Sequence, residues 1–134
     1  MSTIFSKIIA GEIPCHKIAE DENFFAFLDI FPLVMGHTLV IPKKEVDYIF
    51  NLDDETYKGL WLFAKKVAPA IEKAVPCKRI GIAVIGLEVP HAHIHLVPLN
   101  RIGDINFTAP KLTPSNEELF AVGEKIRKEL TMNN

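Results

Sequence analysis

Cysteine is scarce. Cys15 and Cys77 are the only two in 134 residues, and neither sits in a C-x-x-C pair. This excludes a disulfide-stapled scaffold and a thiolate-rich metal cluster, and both thiols are expected to stay free in a reducing compartment. Long apolar runs are also missing. No stretch reaches the roughly 18 consecutive apolar residues of a membrane-spanning helix. The opening MSTIFSKIIAGEIP is too short and too polar for a secretory signal, so the chain reads as cytoplasmic with no membrane partner. Nor is there an excess of one charge: 15 Lys and Arg against 17 Asp and Glu leave a net charge of -2. Binding to a nucleic-acid duplex needs many phosphates neutralised, so it is not expected here. A small phosphate-containing ligand needs only a few local donors and stays open. No internal repeat, low-complexity tract or G-x-x-x-x-G-K-[ST] loop occurs.

What is present fits one globular domain spanning residues 1–134, of 15.0 kDa, with 49% hydrophobic and 24% charged residues. A short helix is predicted over 3–10, capped by Ser2 or Thr3 and closed by Gly11 and Pro14. Extended runs near 15–20 and 24–29 flank the turn-forming Asp21-Glu22-Asn23, which suggests an antiparallel hairpin. His37–Pro42 is a third, mostly apolar strand. Tyr57, Leu60, Trp61, Ala64, Val67, Ala68, Ile71 and Ala74 recur at helical steps, predicting a long helix over 53–75. Asp53 is its N-cap, and Pro69 is expected to kink or split it. Strands near 79–85 and 91–98 follow, then an irregular stretch over 99–114. Ser115 and Glu118 form a capping box ahead of a C-terminal helix near 115–130, carried on an extension over 99–134. The expected fold is α+β: a single antiparallel sheet of about five strands, one long helix packed on one side, a short N-terminal helix and a C-terminal helix.

Three of the five histidines fall in His91-Ala92-His93-Ile94-His95. Strand side chains alternate, so His91, His93 and His95 would share one open face while Ala92, Ile94 and Leu96 point into the core. Three readings exist: a solvated strand face, a metal site completed by Glu88, or nucleophilic catalysis by a neutral imidazole with its neighbours as donors. His37, at the start of an apolar strand, gains meaning only if that strand adjoins the triad strand.

The run His91-Ala92-His93-Ile94-His95-Leu96-Val97 resembles the His-φ-His-φ-His-φ-φ signature of the histidine triad (HIT) superfamily, in its Hint-like and bacterial branch. The likeness extends to Ile4–Pro14, Phe25–Pro32 and Gly36–Lys44, in the right order. It implies a nucleotide hydrolase or nucleotidyl transferase acting at the α-phosphate of purine nucleoside phosphoramidates. Cleavage of dinucleoside polyphosphates is the alternative within the fold, and a nucleotide-binding interaction protein the alternative outside it. The resemblance gives His93 the attack on phosphorus, through a nucleotidyl-histidine intermediate, with the His91 carbonyl taking one ring nitrogen of His93. His95 and His37 would donate to phosphate oxygens, Asp29 would hold the ribose hydroxyls, and Ile13, Phe27 and Ile30 would line the base pocket. It also implies a homodimer, and no cofactor or metal is called for by this chemistry. Two departures stand out. Thr3-Ile4-Phe5-Ser6 replaces the Cys-x-x-Cys with which many bacterial relatives bind zinc, and Leu87 and Glu88 stand where polar contacts precede the triad. Lys43 and Lys44 read as a solvated strand edge, and Arg101 as a weaker candidate for phosphate.

Overall fold

A computed structural model describes residues 3–132. The caps set the element boundaries. Thr3 Oγ1 accepts from the Ser6 amide at 3.0 Å and opens α1 (Ile4–Ile9), which ends ahead of Gly11 at a φ of 82°. Ser2 lies outside the described residues. Asp21 Oδ1 accepts from the amides of Asn23 and Phe24, both at 2.8 Å, and this turn joins β1 (Lys17–Glu20) to β2 (Phe24–Leu28). Next come β3 (Thr38–Pro42) and α2 (Asp54–Ala74), capped by Asp53 through the Thr56 amide at 3.2 Å. The chain continues through β4 (Arg79–Ala83) and β5 (Ile94–Leu99) to α3 (Asn116–Met132). The Ser115–Glu118 box closes reciprocally, with bonds of 3.0 and 3.1 Å.

The five strands form one antiparallel sheet in the order β1-β2-β3-β5-β4. One face carries Ala26, Leu28, Val40, Ile94 and Leu96 against Leu60, Ala64, Val67 and Ile71 of α2 and Leu119 and Ile126 of α3. Each fully buried Leu or Ile there contributes roughly 1.5–3 kcal/mol. The opposite face carries Phe25, Phe27, Leu39 and Ile41 beneath Phe5 of α1. β2 and β3 are therefore buried on both faces, which explains why FFAFL and TLVIP are almost continuously apolar.

The structure corrects several boundaries. β5 begins at Ile94, so His91 and His93 precede it, His91 in a bend. The β3–β5 ladder stops at Val40–Ile94 because Pro42 has no N–H to offer and its carbonyl accepts from the His91 ring instead. His37 likewise stands just before β3. α2 is not split at Pro69: the residue is exposed, while Val67, Ala70 and Ile71 around it are buried and hold the helix to the sheet. The stretch over 99–114 contains a short 3-10 turn, Ile102–Ile105. Among the described residues no helix is long and apolar enough to cross a membrane.

Candidate active site

Sheet parity assembles the cluster. Leu39 lies directly opposite His95 in the β3–β5 pair, so both point to the α1 face. His37 is two residues before Leu39 and shares that face, diagonal to His95, and the two rings meet with Nε2 of His37 3.0 Å from Nδ1 of His95. The alternation across the triad also holds, since Ala92, Ile94 and Leu96 lie in the α2-side core. The face is not open, however. His37, His91, His93 and His95 are each less than a tenth exposed. Phe5 presses edge-on to His91 and His93, with centroids 5.8 and 5.0 Å away, and Phe107 lies 4.7 Å from His95.

Burial decides the charge of this cluster. It pushes the pKa of His37 down to about 4, with the nearby Lys111 and His93 adding to the effect. It pushes His95 to about 3, helped by His93, His37 and Lys111. His91 and His93 are lowered for the same first reason, against the hydrogen bonds each makes to a backbone carbonyl. The rings are therefore neutral near pH 7, and each carries one N–H.

The partners fix where each proton sits. The Leu33 amide donates to Nδ1 of His37 at 3.1 Å, so that nitrogen is bare and Nε2 holds the proton. Nε2–H of His37 then donates to Nδ1 of His95, which leaves the His95 proton on Nε2. His91 donates through Nε2 to the Pro42 carbonyl at 2.8 Å, so its Nδ1 accepts from Thr3 Oγ1 at 3.0 Å. His93 donates through Nδ1 to the His91 carbonyl at 2.7 Å, leaving Nε2 of His93 as a bare imidazole nitrogen. Among the described residues the only fully buried side-chain nitrogen or oxygen without a partner is Nε1 of Trp61, so the unpaired Nε2 atoms of His93 and His95 both reach solvent. A bare nitrogen and an N–H thus sit on adjacent rings, 4.8 Å apart between centroids. Such a pair can offer a nucleophilic lone pair beside a hydrogen-bond donor.

Asp29 sits at the end of β2, with Oδ1 accepting from the Phe31 amide at 2.9 Å. Its Oδ2 has no hydrogen-bond partner among the described residues and lies 3.9 Å from Nε2 of His37. Burial raises the Asp29 pKa, opposed by the Phe31 bond and by Lys111. Of the apolar residues assigned to a base pocket, Ile30 is half-exposed and Ile13 partly buried. Phe27 is packed in the core, edge-on to Phe5 at 5.5 Å. Lys43 and Lys44 are paired with Glu20 and Asp53, and Arg101 with Asp104.

The triad–Glu88 metal reading does not survive this geometry. Both nitrogens of His91 and Nδ1 of His93 are committed to other partners, and Glu88 is exposed. Asp29, His37 and His95 do bring ligand atoms within 4.8 Å of one another. Yet Nε2 of His37, the atom that faces them, carries the proton, because Nδ1 is taken by the Leu33 amide. A neutral imidazole ligates only through its bare nitrogen.

Sequence reasoning missed four residues here: Thr3, Phe5, Phe107 and Lys111. Phe107 faces both His37 and His95, and Lys111 donates to the Phe107 carbonyl at 3.2 Å. The segment is tied down by the Leu112 amide, 2.9 Å from the Pro32 carbonyl. No periodicity marks it. Thr3 carried a readable cap signal, but not its contact 88 residues away.

Residues 10–102 match the HIT domain, and the chain belongs to the HIT family. It is 38% identical over 133 residues to the adenosine 5'-monophosphoramidase of Schizosaccharomyces pombe, covering 97% of this chain and 99% of that one. It is 40% identical over 138 residues to the protein hit of Bacillus subtilis, covering 95% and 93%. The crystal structure of a zinc-bound histidine triad family protein from Mycobacterium smegmatis superposes with a TM-score of 0.85 at 32% identity, covering 99% and 96%.

Proposed function

We propose that the protein hydrolyses purine nucleoside phosphoramidates at the α-phosphate through a nucleotidyl-His93 intermediate. The observation that carries this is the state of His93: neutral, with Nδ1–H on the His91 carbonyl and a bare Nε2 open to solvent. Nε2 forms a bond to phosphorus as the P–N bond to the leaving amine breaks, and the amine departs with a proton drawn from water. A second water then attacks phosphorus and loses its proton to the hydroxide left by the first, the P–Nε2 bond breaks, and His93 is restored. The net reaction is phosphoramidate plus water to nucleoside monophosphate plus amine.

His95 donates through Nε2–H to the phosphate oxygens, where charge redistributes in the transition state, and His37 holds His95 in the tautomer that can do so. Asp29 Oδ2 takes the ribose hydroxyls, while Ile13 and Ile30 flank the base over Phe27. The phosphoramidase named among the relatives supports the substrate class. The chain acts as a homodimer in the cytoplasm. In support, Trp61, Ala68, Pro69 and the half-exposed Ile82 of the edge strand β4 line an apolar groove.

The test is turnover of an adenosine 5'-phosphoramidate beside a diadenosine polyphosphate. Preferential release of amine, with an acid-labile nucleotidyl adduct on His93, is the expected result. Preference for the polyphosphate would exchange the substrate class. Cleavage of neither would make the protein a nucleotide-binding module.

A further inference from the structure

Thr3 is a buried hydroxyl, 9% exposed, at the far end of the chain from the triad. Its surroundings constrain the protons around it. The exposed Glu45 carboxylate accepts at Oε1 from the Thr3 amide at 2.9 Å and from the Ser6 hydroxyl. The Ser6 proton is thereby taken. Thr3 Oγ1 accepts from the Ser6 amide at 3.0 Å. Its own single proton has two acceptors in reach, Nδ1 of His91 at 3.0 Å and, farther off, Ser6 Oγ at 3.3 Å, and the shorter contact takes it. That nitrogen needs a donor, because the Pro42 carbonyl can only accept and so holds the His91 proton on Nε2.

We infer that Thr3 is a positioning residue for the reaction: its hydroxyl locks the His91 ring and, through the carbonyl of the same residue, fixes which nitrogen of His93 is bare. This rests on the reading of His93 as nucleophile. His91 is fully buried, so a bare Nδ1 without a donor has no water to turn to. The ring must then rotate or take a second proton, and either disturbs the residue whose carbonyl holds Nδ1–H of His93 at 2.7 Å. Once that bond loosens, the His93 proton is free to move to Nε2. An imidazole protonated at Nε2 cannot attack phosphorus. α1 is thus more than a cover for the second core: its capping residue helps to keep the nucleophile in its reactive tautomer.

The experiment compares Thr3→Val, Thr3→Ser and Thr3→Asp with the wild type on an adenosine 5'-phosphoramidate, with histidine 15N shifts recorded on each ligand-free protein. Valine removes cap and donor, serine keeps both, and aspartate keeps the cap while losing the donor. Expected are a fall in kcat of about tenfold or more for Val and Asp with KM within about twofold, and near wild-type kcat for Ser. The spectra should show the Nδ1 environment of His91 altered, and Nε2 of His93 moved toward the protonated range, in the same two variants. If Thr3→Val does not fold, Thr3→Asp carries the test. A folded donor-lacking variant with wild-type kcat and unmoved nitrogens overturns the inference, as does a loss shared equally by Thr3→Ser. Should the wild type turn over no phosphoramidate, the proposed function fails, while the nitrogen shifts still decide whether Thr3 sets the tautomers.

Discussion

Acidification should destabilise this fold through the imidazoles that make its site. His37 and His95 are buried and neutral, with pKa values pushed from 6.5 to about 4 and about 3. An unfolded chain takes up protons on both as the pH falls through 6.5, whereas the folded chain does not until about 4 and 3. Stability therefore falls with pH across that window. Between pH 7 and pH 5 each ring costs about 2 kcal/mol by this linkage, about 4 kcal/mol together, a large part of a domain's usual stability. His91 and His93 are shifted the same way and add to the loss. Asp29 opposes it, because its raised pKa lets the folded state gain a proton first. Urea unfolding at pH 7 and pH 5, at constant ionic strength and protein concentration, measures the sum. His37→Gln should remove about 2 kcal/mol of the pH dependence. A midpoint that stays level or rises on acidification, or a His37→Gln variant with the full wild-type slope, would refute the burial argument.

His93→Gly should abolish turnover while nucleotide still binds, measured by steady-state kinetics and calorimetry; appreciable turnover by a preparation free of wild-type enzyme would take the nucleophile's role from His93. A 2'-deoxy substrate should lose one hydrogen bond to Asp29, worth about 1.5–3 kcal/mol or roughly ten- to a hundredfold in kcat/KM, and Asp29→Asn should shrink that preference. Gly36→Ala should cost about 1–3 kcal/mol in thermal or urea unfolding, because φ is 98° there and the new Cβ would lie 2.9 Å from Val75 Cγ2. It should also slow turnover, since His37 is the next residue. Light scattering should find a dimer at micromolar protein, and Ile82→Lys on the β4 edge should weaken it; an active wild-type monomer would exclude the assembly.

Local chemistry was legible in the sequence and remote chemistry was not. The caps at Thr3, Asp53 and Ser115 and the Asp21 turn are short-range hydrogen bonds, and all four form where the residue types place them. The alternation of His and apolar residues correctly separated the two sides of the segment running into β5. Pro69 shows the limit of a local rule, as burial of its neighbours carries α2 past a residue that lacks an N–H. Phe27 lies in the second core edge-on to Phe5, a setting that its residue type alone did not specify. Whether the histidine face was open or covered depended on Phe5 and on Phe107, at separations no periodicity encodes.

That covering changes the chemistry the motif can perform. Exposed, four imidazoles with ordinary pKa values near 6.5 would be partly protonated at neutral pH, and each would exchange its tautomers freely. Buried under Phe5 and Phe107, they stay neutral, and their partners give each ring one N–H in one place. The proposed reaction needs a neutral nucleophile with its lone pair outward and a neighbour with its N–H outward at once, and a solvated strand would offer the combination only part of the time. The histidine spacing therefore supplies the groups. The amide of Leu33, the hydroxyl of Thr3 and the carbonyls of His91 and Pro42 assign their protons.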